Sequence, residues 1–390
     1  MSEPFLPYGR QNITDEDIEA VSQALRSDFL TTGPKVAEFE RLFATYVGAQ
    51  HSVAVANGTA ALHLASMVLD INPGDIVLAP TMSFAASANG AAYCGAHIRF
   101  IDCNPDSGLI TPETFKQAVL RCENEGALPK TAVIVHLSGE VADIEAISMI
   151  ANEYGIALIE DCCHGLGSQY LDSKGNTQTV GNCAFSQLSC FSTHPVKTMT
   201  TGEGGLITTN DNAMAERLVK LRMHGMVRDP DQMIRTEFAI SPEGLPNPWY
   251  YEIQELGYNY RLTDFACALG ISQLKRMDQI SKNRKRIKET YDRLFAEANL
   301  PLHTISTQNG HEPVRHLYPI LVDFEELGFS RASFMAALKE KNIGTQVHYV
   351  PTHLFKIYEN VDQNVSFDGA MKYYERTVSI PMYPRKGESV

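Results

Sequence analysis

A lysine stands just ahead of a glycine-rich turn. Ser192-Thr-His-Pro-Val-Lys197 leads into Thr200-Thr-Gly-Glu-Gly-Gly205 and then into an apolar strand, Leu206–Thr209. Upstream, a second apolar strand beginning at Ile156 ends in a carboxylate, Asp161. A lysine amine can hold an aldehyde as a Schiff base. A carboxylate at a strand end can keep a pyridine nitrogen protonated, so that the ring draws electrons from the group attached to it. Lys197 and Asp161 are therefore the candidate catalytic pair of an enzyme that uses pyridoxal 5'-phosphate. Lys197 lies between Val196 and Thr198-Met199, where partial burial would lower its pKa and ease carbonyl exchange. A lone lysine is by default a solvated surface residue, so the inference rests on the order of these groups and their place at strand ends.

The cofactor's phosphate needs N–H donors. Gly58-Thr59-Ala60 sits where a strand turns into a helix, and first-turn amides with the helix dipole form an anion site. Ser192 offers a hydroxyl to the same group. Phe84 could stack on a flat ring, and His164 follows the Asp161 strand closely. Each has an ordinary alternative: a plain strand–helix turn, a structural serine, a core phenylalanine, a histidine satisfied in the core. Asp161 itself could be a helix N-cap.

The elements that must position these residues alternate. Thr14-Asp-Glu-Asp17 opens a helix with a capping hydroxyl and an acidic first turn. Pro34 opens a second helix that stops at Gly48. Strands are expected at 52–56, 75–80, 97–103, 131–137, 156–161, 184–191 and 206–209, with helices between, such as 143–154. Short apolar strands alternating with amphipathic helices imply an α/β fold with a mostly parallel central sheet covered on both faces. The segment 229–248 carries Pro230, Pro242, Gly244, Pro246 and Pro248 without a period, so it reads as a long loop. One long helical pattern follows from Thr263 to about Ala298. A strand over 316–324, a helix over 331–341 and a strand over 345–350 suggest a smaller C-terminal α+β domain. The expected division is 1–250 and 251–390.

Composition narrows the class. With 33 Lys and Arg against 46 Asp and Glu, the net charge is −13 over 390 residues. Such a chain is a poor candidate for nucleic-acid or membrane-surface binding. None of the eight cysteines forms a C-x-x-C pair, so reduced thiols in a cytoplasmic protein are expected, with neither disulfides nor a metal site. Apolar runs such as 131–137 are too short to span a bilayer, and the N-terminus carries no secretory pattern.

The motifs together resemble the DegT-type sugar aminotransferases, a fold-type I pyridoxal phosphate family acting on nucleotide-linked keto sugars. They are Asn57-Gly-Thr-Ala-Ala-Leu62, Ile159-Glu-Asp-Cys-Cys-His-Gly-Leu-Gly167, Ser192–Lys197 with Thr201–Gly205, Gly257-Tyr-Asn-Tyr-Arg-Leu-Thr263, and Gln346-Val-His-Tyr-Val-Pro-Thr-His353. The resemblance implies that Lys197 carries the cofactor and Asp161 pairs with its ring nitrogen. His164 would lie near the ring hydroxyl and Phe84 on the ring. Gly58, Thr59, Ala60 and Ser192 would hold the phosphate. Asn259 would reach the phosphate of a neighbouring subunit, implying a homodimer with composite active sites. Arg261, His316, Tyr318 and His348 would face the nucleotide sugar. The stretches Pro7–Gln11, Arg222–Met226, Trp249–Gly257 and His316–Pro319 resemble those transaminases of the pseudaminic-acid branch that aminate C4 of a UDP-linked 4-keto-6-deoxy-N-acetylhexosamine, β-L-arabino, with L-glutamate as donor. Other nucleotide keto sugars, D-configured UDP, GDP or dTDP, remain alternatives. Lys197 argues against the sugar dehydratases of this scaffold, which typically have histidine there. A non-catalytic module of the same fold is disfavoured by the joint presence of Lys197, Asp161, His164 and Ser192. Thr193 stands where the family often has a bulkier residue, and Cys162-Cys163 replace a common pair of alanines. After Pro384 the family usually adds a closing helix, where this chain has Arg385–Val390.

Overall fold

The computed structural model describes residues 4–298 and 300–384. The closing segment Arg385–Val390 lies outside the described residues.

Helices α1 (Asp15–Leu25) and α2 (Pro34–Val47) precede the sheet. Pro34 at the first turn of α2 and Gly48 after it, at φ 82°, bound that helix as expected. Strands and helices then alternate: β1 (His51–Val55), α3 (Gly58–Val68), β2 (Ile76–Pro80), α4 (Ala86–Ala92), β3 (His97–Ile101), α5 (Pro112–Asn124), β4 (Thr131–Val135), α6 (Ile144–Tyr154) and β5 (Ala157–Asp161). A short ribbon of β6 (Gln169–Leu171) and β7 (Thr177–Thr179) follows, then β8 (Leu188–Ser192), β9 (Gly205–Thr209) and α7 (Asn212–Leu221). The central sheet has the order β1-β9-β8-β5-β4-β2-β3. β9 is antiparallel to both neighbours, and the other five strands and β1 run one way. The central strands are buried over nearly their whole lengths, as a sheet covered on both faces requires.

The 229–248 excursion is closed at its base by β10 (Met226–Val227) paired with β11 (Glu252–Ile253) and by the N–H of Gln254 donating to the Gly225 carbonyl at 3.2 Å. Within it lies only a four-residue helix, α8 (Thr236–Ala239), and a 3-10 turn. The expected single helix over 263–298 is instead two, α9 (Asp264–Leu274) and α10 (Met277–Ala298). Arg276, at the break, donates to Asp17 at 2.7 Å and pins the corner to α1. α9 packs on α1 and α2 and belongs to the main core, as Ala266, Cys267 and Ile271 show.

A second core lies around an antiparallel sheet, β12 (Leu302–Thr304), β13 (Tyr318–Val322) and β14 (Thr377–Ile380), with β13 in the middle. Ile287, Tyr291 and Phe295 of α10 cover it together with Phe334 and Met335 of α12 (Arg331–Glu340). The short α11 (Phe324–Leu327) completes this core, whereas α13 (Asp368–Arg376) buries Ala370 and Tyr373 in the main one. The strand expected over 345–350 does not form. Gln346 alone makes a bridge, to Ser379. β13 is already paired on both sides, so this segment finds only the free edge of β14 and then turns away.

Candidate active site

Five strands that run the same way end at one edge of the sheet, where ligands bind in such folds. Each delivers a residue to one cavity of about 390 Å³. After β1 come Gly58 and Thr59; after β2, Ser83 and Phe84; Val135 ends β4. Asp161 ends β5 with Cys163 and His164 behind it. Ser192 ends β8, with Lys197 in the loop beyond. His316, His348 and Tyr349 enter from the C-terminal part, and Tyr8 from the N-terminal segment. A larger open cavity of about 710 Å³, near Asp106 and Arg376, holds none of these groups.

The turn into α3 follows from Asn57. Its extended backbone, φ −170° and ψ 173°, lets its side chain accept from the Ala60 N–H at 2.8 Å. An asparagine cap of this kind contributes about 1 kcal/mol. It also uses the Ala60 amide, so Ala60 offers no free donor to an anion, contrary to the expectation for that residue. Gly58 and Thr59 keep theirs, because first-turn amides have no partner within a helix. The cradle is tight: a Cβ on Gly58 would stand 2.8 Å from Ser192 Cβ and 3.4 Å from Cys163 Sγ.

The lysine loop is knotted at its base. Thr193 N–H donates to the Gly204 carbonyl at 2.9 Å, and Thr201 N–H donates to the Thr193 carbonyl at 3.0 Å. The Thr200 hydroxyl donates to that same carbonyl at 3.0 Å, and the Thr193 and Thr201 hydroxyls are 2.5 Å apart. The loop's far arm is β9, so the chain leaves and returns at the same edge of the sheet. Lys197 is half-buried on this loop. Burial pushes its ammonium below the ordinary lysine range, against the opposing pull of Cys163 and Asp161.

Asp161 is 4% exposed. Its Oδ2 accepts from the Ser87 hydroxyl at 2.6 Å and its Oδ1 from the Cys163 N–H at 3.1 Å. The Ser83 and Ser87 hydroxyls, 2.6 Å apart, continue the chain. The Ser138 N–H donates to His164 Nδ1 at 3.2 Å, which leaves that ring's proton on Nε2, facing the Tyr349 hydroxyl at 3.0 Å. His316 stacks obliquely on His164 with centroids 4.6 Å apart, and its Nδ1 has no hydrogen-bond partner among the described residues. His348 Nδ1 meets the Ser379 hydroxyl at 2.9 Å. Burial first, then the nearby Lys197, holds all three histidines below their ordinary range, His348 down to about 3. The pocket thus has one cationic candidate in Lys197, one buried carboxylate in Asp161 and three buried imidazoles held toward the neutral form, with the exposed His194 and Glu203 also on its lining.

A family model, the DegT/DnrJ/EryC1/StrS aminotransferase family, matches residues 11–389. The chain belongs to this family. It is 36% identical over 379 residues to the UDP-4-amino-4,6-dideoxy-N-acetyl-beta-L-altrosamine transaminase of Campylobacter jejuni, covering 97% of this chain and 93% of that one. It is similar in structure to Helicobacter pylori PseC, an aminotransferase involved in pseudoaminic acid biosynthesis, with a TM-score of 0.84 at 25% identity over 97% of this chain and 94% of the other. The pyridoxal phosphate form of Spr1654 from Streptococcus pneumoniae matches with a TM-score of 0.83 at 27% identity, over 98% and 95%. DegT aminotransferases depend on pyridoxal phosphate, and this chain is an enzyme of that class.

Against this DegT frame, the pocket gathers Lys197, Asp161, Gly58, Thr59, Phe84, His164, Ser192, His316 and His348. It does not gather Asn259, Arg261 or Tyr318 of the same chain. Asn259 is exposed and bridges Met223. Arg261 lines a separate small cavity with Glu40 and Arg222. Tyr318 is not a substrate contact. It is 1% exposed, its ring lies 4.8 Å from Tyr291, and its hydroxyl donates to Asp292 at 2.5 Å inside the second core. The sequence missed Tyr8 and Ser87. Ser87 carried no periodic signal, because Ser83, its partner, lies in the bend before α4 and only the fold brings the two hydroxyls together.

Proposed function

We propose that this chain transfers the amino group of L-glutamate to C4 of a UDP-linked 4-keto-6-deoxy-N-acetylhexosamine of β-L-arabino configuration, on the route to pseudaminic acid. It would act in the cytoplasm as a homodimer in which Asn259 completes the partner's site. The large part, expected over 1–250 and joined by α9 from the 251–390 part, would hold the cofactor, and the rest of 251–390 would lie over it. The observation that carries this reading is the convergence of Lys197, Asp161, Ser192 and the Gly58–Thr59 amides on one cavity. The Campylobacter jejuni and Helicobacter pylori relatives support the choice of sugar.

The residues fit pyridoxal phosphate. A cradle that only glycine leaves open at position 58 lies beside Ser192, which suits a phosphate. Asp161, already held by two donors, has a carboxylate facing the cavity. When bound, the cofactor would supply an aldehyde carbon and a ring that accepts electrons. Gly58, Thr59 and Ser192 would hold its phosphate, Asp161 its ring N–H and Phe84 one ring face, with His164, both of whose nitrogens are engaged, lying near the ring hydroxyl. Lys197 Nζ, biased toward the neutral amine by burial, would take the proton from the donor's α-carbon and move it across.

A panel of nucleotide keto sugars with glutamate tests the proposal, scored for amino-sugar product by mass and NMR. Amination of the β-L-arabino UDP sugar should exceed that of D-configured UDP, GDP and dTDP sugars by at least tenfold, and Lys197→Ala should abolish it. A preference for a GDP or dTDP sugar would overturn the substrate, and an active Lys197→Ala enzyme would overturn the chemistry.

A further inference from the structure

The N-terminal segment crosses the molecule as a strap. Leu6 N–H donates to the Asn342 carbonyl at 2.8 Å, and Gly344 N–H donates back to the Leu6 carbonyl at 2.7 Å. One step on, Met382 N–H donates to the Tyr8 carbonyl at 3.0 Å. Gly9 then lies against Val196, where its Cβ would sit 3.5 Å away, next to Lys197. The strap therefore fastens to the C-terminal part on one side and touches the lysine loop on the other. Tyr8 is the residue between the two attachments, and its ring faces the cavity 5.1 Å from the His348 ring.

We propose that Tyr8 is a specificity-determining residue that binds the keto sugar and not the amino donor. This rests on the function proposed above. Glutamate carries two carboxylates at neutral pH, and binding them takes guanidinium, ammonium or free amide donors. The corner made by Tyr8, His348 and Tyr349 offers none of these charges. It offers aromatic faces with a hydroxyl at the tip, and imidazoles that burial keeps neutral. Such a surface suits an uncharged pyranose, which has apolar C–H faces and hydroxyl and acetamido groups at its rim. The amide attachments at Leu6 and at the carbonyl of Tyr8 itself, with Gly9 against Val196 beyond, keep the residue in place, so little freedom is lost when the sugar binds.

The two half-reactions separate this role from a structural one. In single turnovers of the cofactor-loaded enzyme, Tyr8→Ala should slow the glutamate half-reaction no more than about twofold. It should raise the half-saturating concentration of the keto sugar at least tenfold in the second half-reaction. Tyr8→Phe, which keeps the ring, should show a loss of about threefold to fivefold in the sugar half alone. Binding gives an independent readout: calorimetry of the 4-amino UDP-sugar product on Lys197→Ala should weaken about tenfold when Tyr8→Ala is added. Equal losses in both halves, or none in either, would overturn the assignment. If the wild-type enzyme prefers another nucleotide keto sugar, the same measurements are made with that sugar, so failure of the substrate proposal does not decide the fate of Tyr8.

Discussion

Lys197 and the three histidines share one physical cause. Burial shifts each of them toward its uncharged form. For the lysine this is chemistry, since only the free amine takes up a proton. For the histidines it is also a stability term. His348 has its folded pKa depressed from 6.5 to about 3, so the unfolded chain binds a proton that the folded chain refuses between those values. Stability from this group is present above about pH 6.5 and is lost as the pH falls, at about 1.4 kcal/mol per pH unit. His348→Gln should therefore reduce the loss of unfolding free energy between pH 6 and pH 4 by about 2 kcal/mol, measured by urea unfolding at each pH. An unchanged slope would show that His348 is protonated in the folded state at pH 6. Asp161 and Lys197 were legible in the sequence because each stands at or just beyond a strand end, where side chain and ligand must meet. Tyr8 was not, because what places it is a set of amide contacts to residues more than 300 positions away.

At the scale of the element, the turn into α3 and the end of β8 are built against each other. Gly58 has no room for a methyl group opposite Ser192. Gly58→Ala should cost about 1 to 3 kcal/mol in unfolding free energy as the two backbones separate. Adding Ser192→Gly should recover part of that loss, since it removes the atom in the way. Simple addition of the two effects would refute direct contact. The strands of the central sheet were readable because buried strands appear as short apolar runs, and their ends moved by only a few residues. The helix break between α9 and α10 was not readable. No proline or glycine marks it, and the corner is made by Arg276 reaching Asp17 of α1. The false strand over 345–350 has the composition of a strand but no vacant partner, a condition that only the assembled small sheet imposes.

At the scale of the whole molecule, the exposed Asn259 lies far along the chain from the cavity it is proposed to serve, and the proposal of composite sites has a strict consequence. Lys197→Ala and Asn259→Ala homodimers should each be nearly inactive. After unfolding and refolding together in equal amounts they should recover about a quarter of wild-type activity, because half of the dimers are mixed and each of those has one intact site. No recovery would place Asn259 in its own chain's site or in none. The 229–248 excursion leaves and rejoins the fold through a two-residue ladder, Met226–Val227 against Glu252–Ile253. Everything that holds Lys197, Asp161 and the Gly58 turn lies outside that clasp. The excursion is thus an exchangeable cassette: descendants of this chain could replace it wholesale, while the lysine and the sheet edge that presents it stay as they are.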